Sequence, residues 1–87
     1  GDASGQFHLG MAHVRGTANL PKDFLEAGRL FRLAADQGYT AAYVLLAQMH
    51  ESGVGMPINL AEARRLYELA AGKGIQQGID GVKRLGV

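Results

Sequence analysis

Apolar residues recur at helical spacing in separate segments of this chain. In the clearest segment, Ala42, Leu45, Leu46 and Met49 stand at positions i, i+3, i+4 and i+7. This spacing puts the four side chains on one face of a helix and lacks the alternation that is typical of a strand. A second stripe follows after a short loop, at Ala63, Leu66, Tyr67, Ala70 and Ala71. The pattern therefore predicts two amphipathic helices joined by a loop.

The loop between these helices carries signals for ending one helix and starting the next. Gly53 and Gly55 permit a positive φ, which ends a helix without a clash of the Cβ atom. Asn59 is followed three residues later by Glu62, a variant of the capping box in which side chains bind the free N–H groups of the first turn. The segment 42–74 thus reads as one helix–loop–helix unit.

Most of the remaining chain is a second copy of this unit. The second helices match at an offset of 36 residues, as in Phe31 and Tyr67, and the first helices match at an offset of 37, as in His13 and His50. The loop of the first copy is therefore one residue longer. Helical repeats of this length predict a solenoid, in which each unit buries its apolar face against its neighbours.

The positions that the copies share have a specific spacing. In the first copy they are Gly5, Leu9, Gly10, His13, Gly16, Asn19, Leu20, Asp23, Ala27, Phe31, Ala34, Ala35 and Gly38. In the second copy they are Ala42, Leu46, Ala47, His50, Gly53, Gly55, Met56, Asn59, Ala63, Tyr67, Ala70, Ala71 and Gly74. This spacing resembles that of Sel-1-like repeats, relatives of the tetratricopeptide repeat, over nearly the whole chain. The departures are the longer first loop, His for Tyr in both copies, Ala47 for Gly and Gly5 for Ala.

The resemblance implies an all-α, right-handed α-solenoid of helix–turn–helix repeats with antiparallel helix pairs. We expect a single domain over residues 1–87. Repeat one occupies 3–38, repeat two occupies 39–74, and a partial third repeat or capping helix occupies 75–87.

The predicted helices follow from the apolar stripes. The first four are expected at Ala3–Arg15, Phe24–Gln37, Thr40–Ser52 and Leu60–Ala71. A fifth amphipathic helix is indicated by Ile75, Ile79, Val82 and Leu85. Its glycines, Gly78, Gly81 and Gly86, each lower helix propensity by about 1 kcal/mol relative to alanine. We therefore expect docking on the preceding repeat to hold this helix in place.

Composition excludes several classes of function. With 87 residues and no cysteine, the chain makes one small domain without a disulfide framework or a thiolate metal site. A net charge of +1 gives no support for nucleic-acid binding. No apolar run approaches the ~18 residues of a membrane span, so we expect no membrane insertion in this segment.

Two sets of residues invite a catalytic or ligand-binding interpretation. His13 and His50 hold the same position in each repeat, but no His, Cys or carboxylate stands at ligand spacing beside them. The glycines at 16, 53 and 55 lack the Lys-Ser/Thr and the preceding strand of a phosphate loop. We interpret the histidines as packing residues and the glycines as turn residues, and we expect no metal, no cofactor and no enzymatic activity. An enzyme would need a nucleophile–base or metal constellation, and an activity that is lost on mutation of His13 or His50 with the fold intact would support that alternative.

Charged residues at helical spacing predict surface ion pairs. These are Glu26–Arg29, Glu62–Arg65 and Arg64–Glu68, which stand three or four residues apart. Pairs of this kind lie on a solvated outer face and contribute little to stability.

In the related tetratricopeptide fold, the first helix of each pair lines a concave groove, and the resemblance implies the same arrangement here. The expected contact residues are Phe7, Met11, Arg15, Val44, Gln48, Glu51, Asp80 and Arg84. The further groove positions are Ser4, Val14, Ala41, Ser52, Gln77 and Val87. An alternative interpretation is that Phe7 and Val44 pack against each other between repeats.

These observations predict a scaffold or adaptor that presents the groove to a protein or peptide. Because neither end of the chain shows a clear polar cap, end-to-end self-association is also expected. One alternative is a structural spacer within a longer multi-repeat protein. Another is the non-catalytic part of an envelope or signalling enzyme.

Overall fold

The chain folds into a row of α-helices. A computed structural model describes residues 2–17 and 19–86. Within these residues there is no strand, and five helices follow one another. They are α1 (Ala3–Arg15), α2 (Phe24–Asp36), α3 (Thr40–Ser52), α4 (Leu60–Gly72) and α5 (Gln76–Leu85). The prediction of an all-α repeat solenoid is confirmed, and the predicted helix bounds agree to within one residue.

The second helix of each repeat begins at the expected cap. Oδ1 of Asp23 accepts a hydrogen bond of 3.1 Å from the N–H of Glu26, and Oδ1 of Asn59 accepts one of 3.1 Å from the N–H of Glu62. α2 ends one residue earlier than predicted, at Asp36, because Gln37 takes the C-cap position. The capping residues therefore determine where these helices start.

Each loop is attached to the first helix of its own repeat by a backbone hydrogen bond. The N–H of Asp23 donates to the carbonyl of His13 at 3.0 Å, and the N–H of Asn59 donates to that of His50 at 2.9 Å. In the second loop Gly55 has a φ of 73°, and a Cβ atom there would lie 2.6 Å from the carbonyl oxygen of Phe24. The second loop therefore packs on the start of α2.

The core runs along the row because each helix packs mainly on the next one in sequence. The molecule measures 42 × 24 × 17 Å. Its buried cluster consists of Ala27, Phe31, Ala34, Ala35, Ala42, Leu46, Ala47, Met49, Ala63, Leu66 and Tyr67. Ala71, which the apolar stripe placed inside, is only half-buried. No helix in the described ranges combines the length and the apolar character needed to cross a membrane.

Candidate binding surface along the third helix

One aromatic residue lies buried between the helices of each repeat. Phe31 is fully buried, and Tyr67, its equivalent in the second repeat, is 2% exposed. Each ring is approached by a glycine of a neighbouring helix. A Cβ atom on Gly10 would lie 2.8 Å from Cε1 of Phe31, and a Cβ atom on Gly81 would overlap the ring of Tyr67. These glycines let α1 and α5 pack closely against the rings.

An open apolar cavity of about 180 Å³, here called the first hollow, lies between the two repeats. It is lined by Val14, Phe24, Phe31, Leu45, Gln48, Met49, Ser52 and Val54. Gln48 and Ser52 are its polar lining residues, and the Ser52 hydroxyl donates a 2.8 Å hydrogen bond to the Gln48 carbonyl. The hollow therefore has apolar walls and an uncharged lining.

A second hollow of about 200 Å³ lies beside the first, towards the start of α3. It is lined by Ala41, Val44, Leu45, Ile75 and Gln77. Leu45 belongs to both linings. At about 1.5 Å of rise per residue, the α3 positions from Ala41 to Ser52 extend over roughly 16 Å. Two adjacent apolar hollows thus follow one side of this helix.

At the interface between the second repeat and α5, a polar cluster occupies the place that is equivalent to the first hollow. The Tyr67 hydroxyl donates to Oε1 of Glu51 at 2.8 Å. The Arg84 guanidinium donates to both Glu51 oxygens, at 2.9 and 2.7 Å, and lies 5.6 Å from the centroid of the Tyr67 ring. The hydrogen bond from Arg84 lowers the pKa of Glu51, while burial and the bond to Glu51 raise the pKa of Tyr67 to about 12.

The residues of this polar cluster are the repeat equivalents of three residues that line the first hollow. Tyr67 corresponds to Phe31 at an offset of 36, and Arg84 corresponds to Gln48 at the same offset. Glu51 corresponds to Val14 at an offset of 37. The same three positions therefore form an apolar cavity at one interface and a charged, hydrogen-bonded cluster at the next.

The expected apolar contact residues lie deeper than the sequence suggested. The ring of Phe7 packs against those of Phe31 and Tyr39, with centroid separations of 5.5 and 5.0 Å. Met11 is half-buried against the core, and Val44 is 5% exposed. Val44 itself lines the second hollow, and Phe7 contacts Phe31, which lines the first.

The expected polar contact residues are distributed over the surface. Gln48 lines the first hollow, and Arg15 is exposed at the end of α1. Glu51 and Arg84 bind each other, and Asp80 accepts a 2.9 Å hydrogen bond from Gln76. The further groove position Val87 lies outside the described residues.

Six lining residues were absent from the expected groove positions: Phe24, Phe31, Leu45, Met49, Val54 and Ile75. Leu45 had been assigned to the buried stripe of α3, but it is only partly buried. Some of these residues could have been suspected from the sequence. Phe24 at the start of α2 and Val54 in the glycine loop are apolar at positions where packing within one repeat does not require an apolar side chain. The pattern within one repeat does not show that these residues lie beside α3, because their contacts are with a neighbouring repeat or helix.

The histidines of α1 and α3 lie at equivalent positions and are half-buried. Nδ1 of His13 and Nδ1 of His50 are both buried without a hydrogen-bond partner among the described residues. Nε2 of His50 lies 3.5 Å from a guanidinium nitrogen of Arg32. No group of three or more His, Cys, Asp or Glu residues in the described ranges could hold a metal ion.

The predicted ion pairs of α2 and α4 are present on the surface. Nε of Arg29 donates to Glu26 at 2.8 Å, and Nε of Arg65 donates to Glu62 at 2.8 Å. Glu62 also lies 3.5 Å from the Arg32 guanidinium on α2. The hydrogen bond from Arg65, with a contribution from Arg32, lowers the pKa of Glu62 to about 2. Glu62 thus links the two repeats.

Comparison with known proteins gives two kinds of similarity. The family model described as Sel1 repeat matches residues 3–39 and 40–75. No curated protein sequence is significantly similar to the chain. A protective antigen of uropathogenic Escherichia coli with an SLR fold superposes with a TM-score of 0.88 at 36% identity over 94% of this chain. A Sel1 repeat protein from Oxalobacter formigenes superposes with a TM-score of 0.87 at 30% identity over 93% of this chain. The chain spans 17% and 33% of the lengths of these two proteins.

Proposed function

Because the chain belongs to the Sel1 repeat family, whose members are generally helical-repeat scaffolds for protein interaction, we propose that it binds a protein or peptide through the side of α3 that carries the two hollows. Apolar cavities with a few polar lining groups are the usual form of a binding pocket. Side chains that fill such pockets supply most of the energy of an interface.

The observation that carries this proposal is the sharing of Leu45 by two open apolar hollows. Adjacent hollows allow one partner segment to place two side chains at once. The walls belong to packed helices, so the surface is largely formed before binding. Few side chains or loops of the protein have to be ordered when the partner binds, which keeps the entropic cost of binding low. Phe7 contributes by packing against Phe31, and Val44 is itself part of the lining of the second hollow.

The proposal can be tested with a random peptide library selected against the wild-type chain. Gln48→Arg with Ser52→Arg adds two large charged groups to the lining of the first hollow, and both positions are exposed. Gln76→Arg makes the same exchange at an exposed position of α5 that lines neither hollow, and it serves as the control. We expect the double variant to lose about tenfold or more in affinity for the selected peptides, which corresponds to about 1.4 kcal/mol.

Two outcomes would count against the proposal. Equal affinity of all three proteins for the selected peptides would place binding elsewhere on the solenoid. Failure to select any peptide would favour the alternative of a structural spacer. Circular dichroism on each variant establishes that helicity is unchanged.

A further inference from the structure

The interface between the second repeat and α5 shows how the space over a repeat's aromatic ring is filled from within the chain. There the Arg84 guanidinium lies over Tyr67 and is held by Glu51. At the first interface, Gln48 replaces the guanidinium and Val14 replaces the carboxylate. Neither residue can form the ion pair, and an open hollow, of which the buried Phe31 is one lining residue, lies there instead.

The lining of the first hollow defines what can occupy it. No carboxylate belongs to the lining, so a cationic group like that of Arg84 would have no counter-charge there. The volume of about 180 Å³ is close to that of an apolar cavity of about 150 Å³ that accepts benzene. One aromatic or large aliphatic side chain therefore fits the hollow in both size and chemistry.

Charge next to the hollow adds a second requirement. Nζ of Lys22 lies 5.9 Å from the centroid of the Phe24 ring, which forms one wall. Within residues 2–17 and 19–86, none of the salt bridges involves Lys22. The carboxylates predicted for the groove are engaged elsewhere, Glu51 with Arg84 and Asp80 with Gln76. A positive charge is thus left beside an apolar cavity.

From these observations we propose that the first hollow takes one aromatic or large aliphatic side chain of a partner segment, and that an acidic residue next to this side chain pairs with Lys22. This inference rests on the proposed function and specifies the chemistry of the partner. It commits to an acidic, apolar peptide segment.

The test uses short synthetic peptides as probes. Their binding is monitored through the NMR chemical shifts of the protein's backbone amides around the hollow. The first peptide carries a central Phe flanked by Asp, the second has Lys in place of each Asp, and the third has Ser in place of the Phe. We expect the Asp–Phe–Asp peptide to bind about threefold or more tightly than the Lys–Phe–Lys peptide. The peptide without Phe should show no saturable shift.

Two variants test the two halves of the inference. Val14→Glu with Gln48→Arg builds the pair of the second interface into the first hollow, and we expect it to weaken binding of the Asp–Phe–Asp peptide about tenfold or more. Lys22 is exposed, so Lys22→Glu should not disturb the fold. This variant should bind the Lys–Phe–Lys peptide more tightly than the Asp–Phe–Asp peptide, the reverse of the wild type. Lys73→Glu, at the exposed C-cap of α4, should leave the preference unchanged.

The outcomes separate this inference from the function on which it rests. Equal binding of the acidic and basic peptides, an unchanged preference in Lys22→Glu, or absence of binding by the Asp–Phe–Asp peptide would overturn it. If peptides selected from the random library still bind the wild type and still lose affinity for the Gln48→Arg, Ser52→Arg variant, the proposed function stands without this inference. Should the Val14→Glu, Gln48→Arg protein fail to fold, the Lys22→Glu comparison decides alone.

Discussion

The hydroxyl of Tyr67 donates a hydrogen bond of 2.8 Å to Oε1 of Glu51. Phe31 fills the equivalent position of the first repeat without a hydroxyl, so the position itself accepts either ring. We expect Tyr67→Phe to lower the free energy of unfolding by about 1 kcal/mol, because Glu51 then loses a hydrogen-bond donor. Urea denaturation followed by circular dichroism measures this change.

A matched control is available in Tyr43, which is half-buried and whose hydroxyl makes no hydrogen bond to another described residue. Tyr43→Phe should change stability by no more than about 0.5 kcal/mol. Equal effects of the two substitutions would show that the bond between Tyr67 and Glu51 does not stabilise the fold.

Gly81 determines how closely α5 approaches the second repeat. A Cβ atom at this position would overlap the buried ring of Tyr67. Gly81→Ala should therefore destabilise the protein by about 1–3 kcal/mol, although alanine raises helix propensity by about 1 kcal/mol. Gly72→Ala is the control, because Gly72 lies in α4 and no atom outside its chain neighbours and the backbone of its own helix is within 4 Å of its Cβ position. That substitution should be neutral or stabilising in thermal unfolding, and destabilisation of the same size would contradict the packing argument.

Gly55 combines a positive φ with close packing, and the two effects can be separated. Its φ is 73°, and its Cβ position lies 2.6 Å from the carbonyl oxygen of Phe24. Gly74 has a similar φ of 82° and nothing within 4 Å. We expect Gly74→Ala to cost about 1 kcal/mol from backbone strain alone. Gly55→Ala should cost at least about 1 kcal/mol more, because the loop must also move away from α2.

Chemical denaturation of both glycine variants measures the difference. If they were equally stable, contact of the second loop with Phe24 would have no energetic importance. A larger loss for Gly55→Ala should be accompanied by changed amide shifts around the first hollow, because Phe24 lines it.

Glu62 should make stability depend on pH in the acid range. Its pKa is about 2 in the folded protein and 4.5 in an unperturbed carboxyl group. The pKa of Glu62 is lower in the folded protein than in the unfolded chain. The ionised carboxylate therefore stabilises the fold fully when the pH is above the unfolded pKa, and this stabilisation is lost as the pH falls through the folded pKa. We expect a contribution of about 1 kcal/mol, reduced from the full shift because its arginine partners are partly exposed.

The measurement is the urea midpoint of wild type and Glu62→Gln from neutral pH down to about pH 2. The two proteins should differ at neutral pH and converge at the acid end. Glu68→Gln, at a side chain that is 53% exposed, should follow the wild type within about 0.5 kcal/mol. A constant difference between wild type and Glu62→Gln at all pH values would show that the carboxylate charge is unimportant.

Local features of the sequence were sufficient to predict the helices. Asp23 and Asn59 accept hydrogen bonds from residues only three positions away, so their effect is visible in a short stretch of sequence. The repeat offset then placed Phe31 and Tyr67 at equivalent buried positions. Helix bounds and repeat architecture depend on such short-range and periodic signals, and they were predicted correctly.

The candidate binding surface depends on contacts that no local pattern encodes. Glu51 and Arg84 are 33 residues apart and were both expected to contact a partner, whereas they bind each other. Leu45 looked like a core residue because it continues a helical stripe, but it lines two hollows. Its repeat equivalent, Gly81, has no side chain and lets α5 close over Tyr67. Comparison of equivalent positions across three helices was needed to find this difference.

The exchange of Val14, Phe31 and Gln48 for Glu51, Tyr67 and Arg84 also has a consequence for the behaviour of the solenoid in solution. The second interface depends in part on attraction between charges, which dissolved salt screens. The first interface depends on apolar contact, which sulfate and similar salts strengthen. Raising the ionic strength with sulfate should therefore stabilise the junction between the two repeats more than it stabilises the attachment of α5. One molecule would thus have two interfaces of the same helical design that respond to the same solvent to different extents.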